Sequence, residues 1–329
     1  MTSGLLLVVP CLNEADHLPT LIGRLLEDAG VEDVLVVADG GSQDGSQKIV
    51  DDWSRRDARV RLLANPKRLQ SAGVNLAAEH YGADRTFLIR IDAHAAYPVG
   101  FVPALVAAAS ATHADSIVVP MRTVGRSCFQ IAAATAQNAP IGAGGSAHRV
   151  GGASGWIDHG HHALMRLDAF RRIDGYDPDF SHNEDAEYDR RLTASGGRIW
   201  FQADLAIDYF PRRTPHALFR QYINHGKGRA RTVVKHQTPL KLRQLAPALV
   251  APAVLVGLGA LVLAAVFHPI LLILAAPAAL WVGVCLLGGA LAARAAQAPP
   301  CGYLAGVAAM VMHLGWSWGF LKGRFLTSR

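Results

Sequence analysis

The sequence predicts an α/β domain on a mostly parallel, Rossmann-like sheet, followed by an α-helical membrane region. Three observations predict it. Through residue 120, short apolar runs alternate with stretches of helical periodicity, the pattern of a sheet covered on both faces. One of those runs, Phe87–Ile91, ends abruptly in Asp92-Ala93-His94, which puts polar side chains at a strand end. Beyond residue 245, three runs of 20 or more residues carry no charge, long enough to cross a bilayer.

Taken in order, Gly4–Pro10 reads as a buried strand and Ala15–Ala29 as a helix, with Leu18, Leu21, Ile22, Leu25 and Leu26 on one face. Val34–Ala38 is the second strand, and Asp39–Ser46 a loop rich in turn formers. A helix from about Gln43 to Ser54, a strand at Val60–Ala64 and a helix over Gln70–His80 lead to the strand at 87–91. Phe101–Ser110 and Ser116–Pro120 add one more helix and strand. After Pro120 the alternation stops. Gly142–Gly155 is glycine-rich and reads as a mobile loop over a site. Leu167–Ile173 and Ala186–Ser195 read as short helices and Arg198–Ala203 as a strand. Leu218–Val234 reads as a basic amphipathic helix at a membrane surface.

The apolar runs are Ala246–Phe267, Pro269–Ala293 and Gly302–Leu321. The third carries His313, Ser317 and two tryptophans. Three crossings from a cytosolic domain would leave Lys322, Arg324 and Arg329 outside, against the positive-inside tendency; two to three transmembrane segments are expected, with the third one's crossing open. Charge divides the same way. Residues up to Asp208 hold 19 Lys and Arg against all 26 Asp and Glu, and the remainder holds 13 Lys and Arg, giving −7 and +13. The basic run Arg212–Arg243 suits anionic lipid or phosphate, and nucleic acid is set aside because membrane-length runs follow directly. Cys11, Cys128, Cys285 and Cys301 show no paired spacing, so free thiols in a reducing compartment are expected, with neither zinc site nor disulfide. No cationic region precedes the first apolar run, so no signal peptide is expected.

Several residue types point to metal and phosphate chemistry. Asp92 and His94, two apart at a strand end, can share one divalent metal ion. Histidine beside carboxylate makes manganese at least as plausible as magnesium. Glu14 can accept hydrogen bonds from ribose hydroxyls at the end of the first strand, and Asn13-Glu14 also makes a good helix start. Lys67 and Arg68 can neutralise a diphosphate or stand as a solvated pair. Asp44 suits a cap for the helix after it. Asp158-His159-Gly160-His161-His162 looks like a chelating cluster, although no second cluster has conventional spacing. Asn183-Glu184-Asp185 offers carboxylates for taking a proton from a hydroxyl, or simply an acidic first turn.

VVPCLNE (Val8–Glu14), ADGGSQDGS (Ala38–Ser46), Asp92–His94 and NED (Asn183–Asp185), in this order, resemble the family 2 glycosyltransferases, inverting nucleotide-sugar enzymes of the GT-A fold. RIDAHAAYP (Arg90–Pro98), NPKRLQSAGVN (Asn65–Asn75) and the apolar tail resemble, more closely, the membrane glucosyltransferases of succinoglycan-type exopolysaccharide synthesis. The resemblance implies a GT-A nucleotide-sugar-binding catalytic domain over 1–235, including a basic interfacial helix over about 216–235, and a membrane anchor over 236–329. It implies that Pro10, Asn13, Glu14, Asp39, Arg68, Arg90 and Asp92 meet the donor, with Asp39 accepting from the imide nitrogen of uracil. Gly40 stands where the family usually has a second acid. Asp92 and His94 are the implied ligands of Mn or Mg, Asp185 the implied base, and Glu184 its neighbour positioning the acceptor. His159, His161, Gln221, His225, Lys227 and Arg229 are the implied acceptor or pyrophosphate contacts. Gln221 is followed by Asn224 and His225, so the QXXRW of processive synthases is absent, which suits a nonprocessive enzyme.

The expectation is therefore transfer of a sugar, glucose first, from a UDP-sugar to a lipid-linked, polyprenyl-pyrophosphate-type acceptor. It would occur at the bacterial inner membrane with the catalytic domain cytosolic, alongside possible exopolysaccharide assembly partners. A nucleotidyltransferase-like enzyme and a noncatalytic membrane scaffold are the alternatives. Release of a nucleoside diphosphate rather than pyrophosphate separates the first, and retained biological function in Asp185→Asn the second.

Overall fold

A computed structural model describes residues 4–144, 152–237, 239 and 242–325. Its contacts divide the chain into two compact units: Met1–Arg122 with Gly151–Tyr209, and Thr123–Val150 with Phe210–Arg329. The division differs from a single cut near residue 235. The basic helix and the segment 123–150 group with the apolar tail.

The first unit is built on strands β1 (Leu6–Cys11), β2 (Val34–Asp39), β3 (Val60–Ala64), β4 (Phe87–Arg90) and β5 (Ala95–Ala96), with helices α1 (Leu18–Asp28), α2 (Ser46–Arg56) and α3 (Gln70–Tyr81) between them. Helix α4 (Phe101–Thr112) and strands β6 (Ser116–Val119) and β7 (Met121–Thr123) follow. An eight-stranded sheet runs β3-β2-β1-β4-β9-β6-β10-β8, using β8 (Gly155–Ile157), β9 (His161–Arg166) and β10 (Ile199–Phe201). Strands β5, β11 (Ile207–Tyr209) and β7 make a small second sheet. Pairings among β3, β2, β1 and β4 are parallel, as is β6 with β10; β9 runs antiparallel to both β4 and β6, and β8 antiparallel to β10.

Strand β9, inside the sheet between β4 and β6, is among the elements that alternation did not predict. Its apolar centre, Ala163-Leu164-Met165, is short and is introduced by two histidines, so it shows no strand-length apolar run. Successive residues of β1 face opposite sides: Leu7 and Val9 join one apolar cluster with α1 and α4, and Leu6 and Val8 join another with α3. Each such fully buried side chain contributes roughly 1.5–3 kcal/mol of transfer free energy. Helix α1 begins at Leu18, with Pro19 in its first turn, so Asn13 does not cap it. Asn13 instead adopts a left-handed conformation (φ 58°), and its Oδ1 accepts from Gln43 N at 2.9 Å. The N-cap of α2 is Gly45 rather than Asp44, whose Oδ1 accepts from Ser46 N at 3.0 Å from one position upstream.

The second unit contains α5 (Cys128–Gln137), α6 (Pro140–Ala143), α9 (Pro215–His236), α10 (Leu242–Ala248), α11 (Val250–Val266), α12 (Ala276–Ala295) and α13 (Ala305–Phe325), with 3-10 turns over Pro269–Ala275 and Pro300–Leu304. Helices α7 (Leu167–Arg172) and α8 (Glu184–Ala194) belong to the first. The Ala246–Phe267 run is not one span: Pro247 lies inside α10, and Leu249 separates it from the 17-residue α11. Two segments, Pro269–Ala295 and Pro300–Phe325, are long and apolar enough to cross a membrane by length and composition. Helix α13 packs parallel to α9 through glycines: Gly315 meets the Phe219 carbonyl, Gly319 that of Ile223, and Gly323 the backbone of Lys227. Removing Cβ lets the backbones approach. The expectation of four free thiols is corrected. Cys128 and Cys301 form a disulfide within this unit, while Cys11 and Cys285 are free and buried. A separation of 173 residues leaves no local spacing to read. Half of the glycine-rich stretch expected as a mobile loop, residues 145–151, lies outside the described residues.

Candidate active site

Strand ends of the first unit converge as an open α/β sheet requires. A cavity of about 170 Å³ is lined by Pro10, Cys11, Leu12, Glu14, Asn65, Arg68, Leu69, Gln70, Asp92, Ala93 and His94. It gathers Pro10, Glu14, Arg68, Asp92 and His94, five residues the sequence nominated for donor or metal. A wider groove of about 440 Å³ along Ser42–Arg55 holds none of them.

The Asp92 turn is fixed from several sides. Its backbone N–H donates to the Tyr97 hydroxyl at 2.6 Å, and its Oδ1 accepts from Gln70 Nε2 at 3.1 Å. His161 Nε2 stands 3.6 Å from Asp92 Oδ2, and His94 Nδ1 lies 3.1 Å from Glu14 Oε1. Burial would raise the Asp92 pKa, but the charges of Arg90, His161 and His94 outweigh it and hold the carboxylate ionised. Gln70 and Tyr97 were not foreseen; each lies in or beside a motif without carrying a charge that would mark it.

Asp39 ends β2, where its Oδ2 accepts from Gly41 N (2.8 Å), Ser42 N (3.0 Å) and Gln47 Nε2 (2.7 Å). Burial opposes ionisation, yet the Ser42 and Gly41 hydrogen bonds win and lower its pKa. Its Oδ1 is buried with no hydrogen-bond partner among the described residues. A buried, ionised acceptor with one oxygen unused is unusual in a folded protein. Arg68, in a left-handed conformation (φ 55°), puts its guanidinium beside Gly41.

Arg90 departs from its expected role. Its guanidinium is buried and meets Asp185, with Glu184 at 3.7 Å, Asp92 at 3.5 Å and the Tyr176 hydroxyl at 3.3 Å. It therefore braces carboxylates rather than reaching a donor phosphate, because β4's alternation turns residue 90 inward. For Asp185, burial is outweighed by Arg90 and then by His162, and its pKa lies far below the ordinary carboxylate range. Glu184 moves the other way: burial and the Asp185 charge push it up to about 7 against the pull of Arg90. One guanidinium faces three carboxylates here, an excess of negative charge that suits a cation at Asp92.

The histidine run does not form a chelating cluster, and among the described residues no group of three His, Cys, Asp or Glu is placed to hold a metal ion. Strand geometry separates the side chains. His161 turns toward Asp92, while buried His162 puts Nε2 2.7 Å from Asp189 Oδ1 and Nδ1 2.6 Å from the Tyr176 hydroxyl. His159 Nδ1 lies 2.7 Å from Asp189 Oδ2, so it pairs with α8 instead of standing as an independent acceptor contact. Burial would lower the His162 pKa, but Asp189 and Asp185 raise it; Asp189 is correspondingly lowered, with burial outweighed by His162 and His159. Asp189 and Tyr176 went unmarked in the sequence. The i, i+4 placement of Asp189 after Asp185 on one helix was the available signal. Gln221, His225, Lys227 and Arg229 lie on α9 of the second unit.

Because no third His, Cys, Asp or Glu among the described residues is placed to complete a metal site with Asp92 and His94, an ion here would need further oxygens from a bound diphosphate or water. That donor set fits a hard divalent cation.

Comparison with known proteins agrees with this arrangement. The Glycosyl transferase family 2 profile matches residues 6–174. The chain is 48% identical over 318 residues to the succinoglycan biosynthesis protein ExoA of Rhizobium meliloti (strain 1021), covering 96% of this chain and 94% of that one. It is 30% identical over 105 residues to the undecaprenyl-phosphate mannosyltransferase of Micrococcus luteus, covering 31% and 43% of the two chains. In fold it is similar to the mannosyltransferase PcManGT from Pyrobaculum calidifontis, solved with GDP-Man and Mn2+, at 18% identity and TM-score 0.57, covering 100% of this chain and 89% of that one. The chain belongs to the family 2 glycosyl transferases and has their GT-A-like fold, with strand ends gathered around Asp92.

Proposed function

We propose that this glycosyltransferase moves a sugar, glucose first, from a UDP-sugar to a lipid-linked, polyprenyl-pyrophosphate-type acceptor, with inversion and one sugar per acceptor. The work would belong to exopolysaccharide synthesis at the inner face of a bacterial cytoplasmic membrane. The cavity that joins Glu14, Arg68, Asp92 and His94 above a carboxylate cluster is the observation that carries the reading. The unused, buried Asp39 Oδ1 supports a uracil imide as its donor. The names of the R. meliloti and M. luteus relatives support exopolysaccharide and polyprenyl chemistry.

In this reading Glu14 accepts from the ribose and Arg68 neutralises the diphosphate. Asp92 and His94 would hold the Mn or Mg ion, which supplies Lewis-acid charge balance for the leaving UDP. A carboxylate of the 184–185 pair takes the acceptor's hydroxyl proton as that oxygen attacks the anomeric carbon and the bond to UDP breaks. Asp185 is the proposed base, with Glu184 positioning the acceptor. A second reading exchanges them: Glu184, held near 7, is better poised to take a proton than Asp185, tied to Arg90. Residues His159, His161, Gln221, His225, Lys227 and Arg229 remain the proposed acceptor and pyrophosphate contacts, His159 and His161 subject to the pairings above.

Nucleotide release by the full-length protein in detergent, across a panel of nucleotide sugars with and without membrane lipid extract, tests the proposal. UDP released from one UDP-sugar, lipid-dependent and abolished in Asp185→Asn, is expected. No release with any donor in the presence of lipid overturns it. If Glu184→Gln removes the acidic limb of the pH–rate profile and Asp185→Asn leaves that limb in place, Glu184 is the base.

A further inference from the structure

We infer that α11, the 3-10 turn Pro269–Ala275 and α12 form a hairpin that enters the bilayer from the catalytic side and turns round inside it without emerging. The inference rests on the membrane location proposed above and replaces crossing spans with a re-entrant anchor.

The two apolar segments differ in what covers them. Only 6% of the most apolar window in Pro269–Ala295 is buried within the protein, against 50% for Pro300–Phe325. Helix α13 is covered because α9, with its Arg and Lys residues, lies along it through Gly315, Gly319 and Gly323. A helix that runs parallel to a basic, amphipathic partner for that length crosses hydrocarbon only if the partner's charges cross with it, at high cost. Both therefore stay at the headgroup level. That placement keeps Lys322 and Arg324 on the catalytic side, as the positive-inside tendency asks.

The hairpin's two ends are tied to this same platform. Ala251 N–H donates to Ser317 Oγ at 2.9 Å, Gly289 packs against the backbone of Gly306, and Cys301 is bonded to Cys128. What projects beyond these ties carries no Asp, Glu, Lys or Arg, none occurring between Arg243 and Arg294; its ionisable side chain is His268, which caps the turn. Leu258, Val262, Leu280 and Leu287 are all exposed, on both helices.

The tip decides between crossing and turning back. A crossing hairpin places its turn in water, where polar residues are normal; this turn reads Pro-Ile-Leu-Leu-Ile-Leu-Ala, with Phe267 73% and Ile273 69% exposed. Three of its backbone donors have partners within the segment. Phe267 N–H bonds Leu263 O (2.8 Å), Leu271 N–H bonds His268 O (3.2 Å), and Ile270 N–H bonds His268 Nδ1 (3.1 Å), while Pro269 has no N–H. Hydrocarbon demands such satisfaction and water does not. One arm is short for a crossing: the 17 residues of α11 rise about 25 Å, under the roughly 30 Å hydrocarbon core.

The test uses the full-length protein in right-side-out and inside-out vesicles of bacterial inner membrane, with a membrane-impermeant maleimide as probe. Leu272→Cys reports the tip, and Val31→Cys, exposed in the catalytic unit, reports the catalytic side. Leu272→Cys is expected to label at least about tenfold less than Val31→Cys in inside-out vesicles, to stay unlabelled in right-side-out vesicles, and to label fully after detergent. Labelling from the outer face overturns the inference in favour of crossing. Labelling in inside-out vesicles without detergent overturns it by placing the tip in water. Loss of the protein from carbonate-washed membranes would instead remove the membrane location itself, a failure separable from both.

Discussion

The interior of the first unit holds ions, whereas the buried side chains described in the second are uncharged. Arg90, Glu184, Glu187, Asp189, His161 and His162 are all buried in the first unit. In the second, the buried polar groups include Gln130, Gln137, Thr232 and Ser317, and its helices meet through glycine. The contrast follows from what each part must do. Buried charge is expensive and is kept only when paired, so its concentration at strand ends marks where charge is put to chemical use. In the membrane location proposed for the second unit, hydrophobic contact between helices gains nothing and close backbone approach takes its place.

The contrast breaks most severely at Arg90. Arg90→Met leaves Asp185, Glu184 and Asp92 without their common counter-charge. It is expected to lower stability by about 3–5 kcal/mol and turnover by a factor on the order of 100 or more; urea midpoints in detergent and nucleotide release read the two effects. A change below about 1 kcal/mol would mean that solvent, not Arg90, balances these carboxylates.

A smaller effect is expected in the second unit. A side chain at Gly319 would overlap the Ile223 carbonyl, while one at Gly283 on α12 meets nothing within 4 Å. Gly319→Leu should destabilise the α9–α13 pair by about 1–3 kcal/mol; Gly283→Leu should be near neutral in thermal unfolding. Equal effects would sink the glycine-contact account.

The mildest test concerns pH. Asp189 is lowered from its ordinary 3.8, so its contribution is complete above that value and is lost as pH falls through the folded value. His162 is raised from 6.5, so its contribution is complete below 6.5 and is lost as pH rises through its folded value. The ion pair is therefore worth most between about pH 4 and 6.5, and stability should decline on both sides. His162→Phe should flatten the alkaline decline; an unchanged profile would show that His162 stays neutral.

How much of this was legible in the sequence varies with range. Runs such as Leu6–Cys11 and Val34–Asp39 carry their strand identity locally, and the Asp92–His94 turn announces itself because an apolar run stops there. Strand β9 was illegible, since its two histidines are polar yet buried by partners far along the chain: Asp92, Asp189 and Tyr176. Arg90 was misread for the same reason. Its motif suggested a donor contact, and only the tertiary position of α8 shows a guanidinium turned inward to three carboxylates. The Cys128–Cys301 bond depends on a separation of 173 residues, and the break at Leu249 was masked by an uninterrupted apolar composition. Asp39 was legible as a residue, but its unused oxygen is visible only once its neighbours are placed.

Calorimetric titration of UDP into the full-length protein, with Mn2+ and with EDTA, tests most directly that the cavity at Asp92 is the donor site. Metal-dependent binding is expected to weaken by at least about tenfold in Asp92→Asn, the cost of a charge-assisted contact, and to persist in Asp185→Asn. UDP binding that is indifferent to both EDTA and Asp92→Asn would contradict the account and place the donor elsewhere.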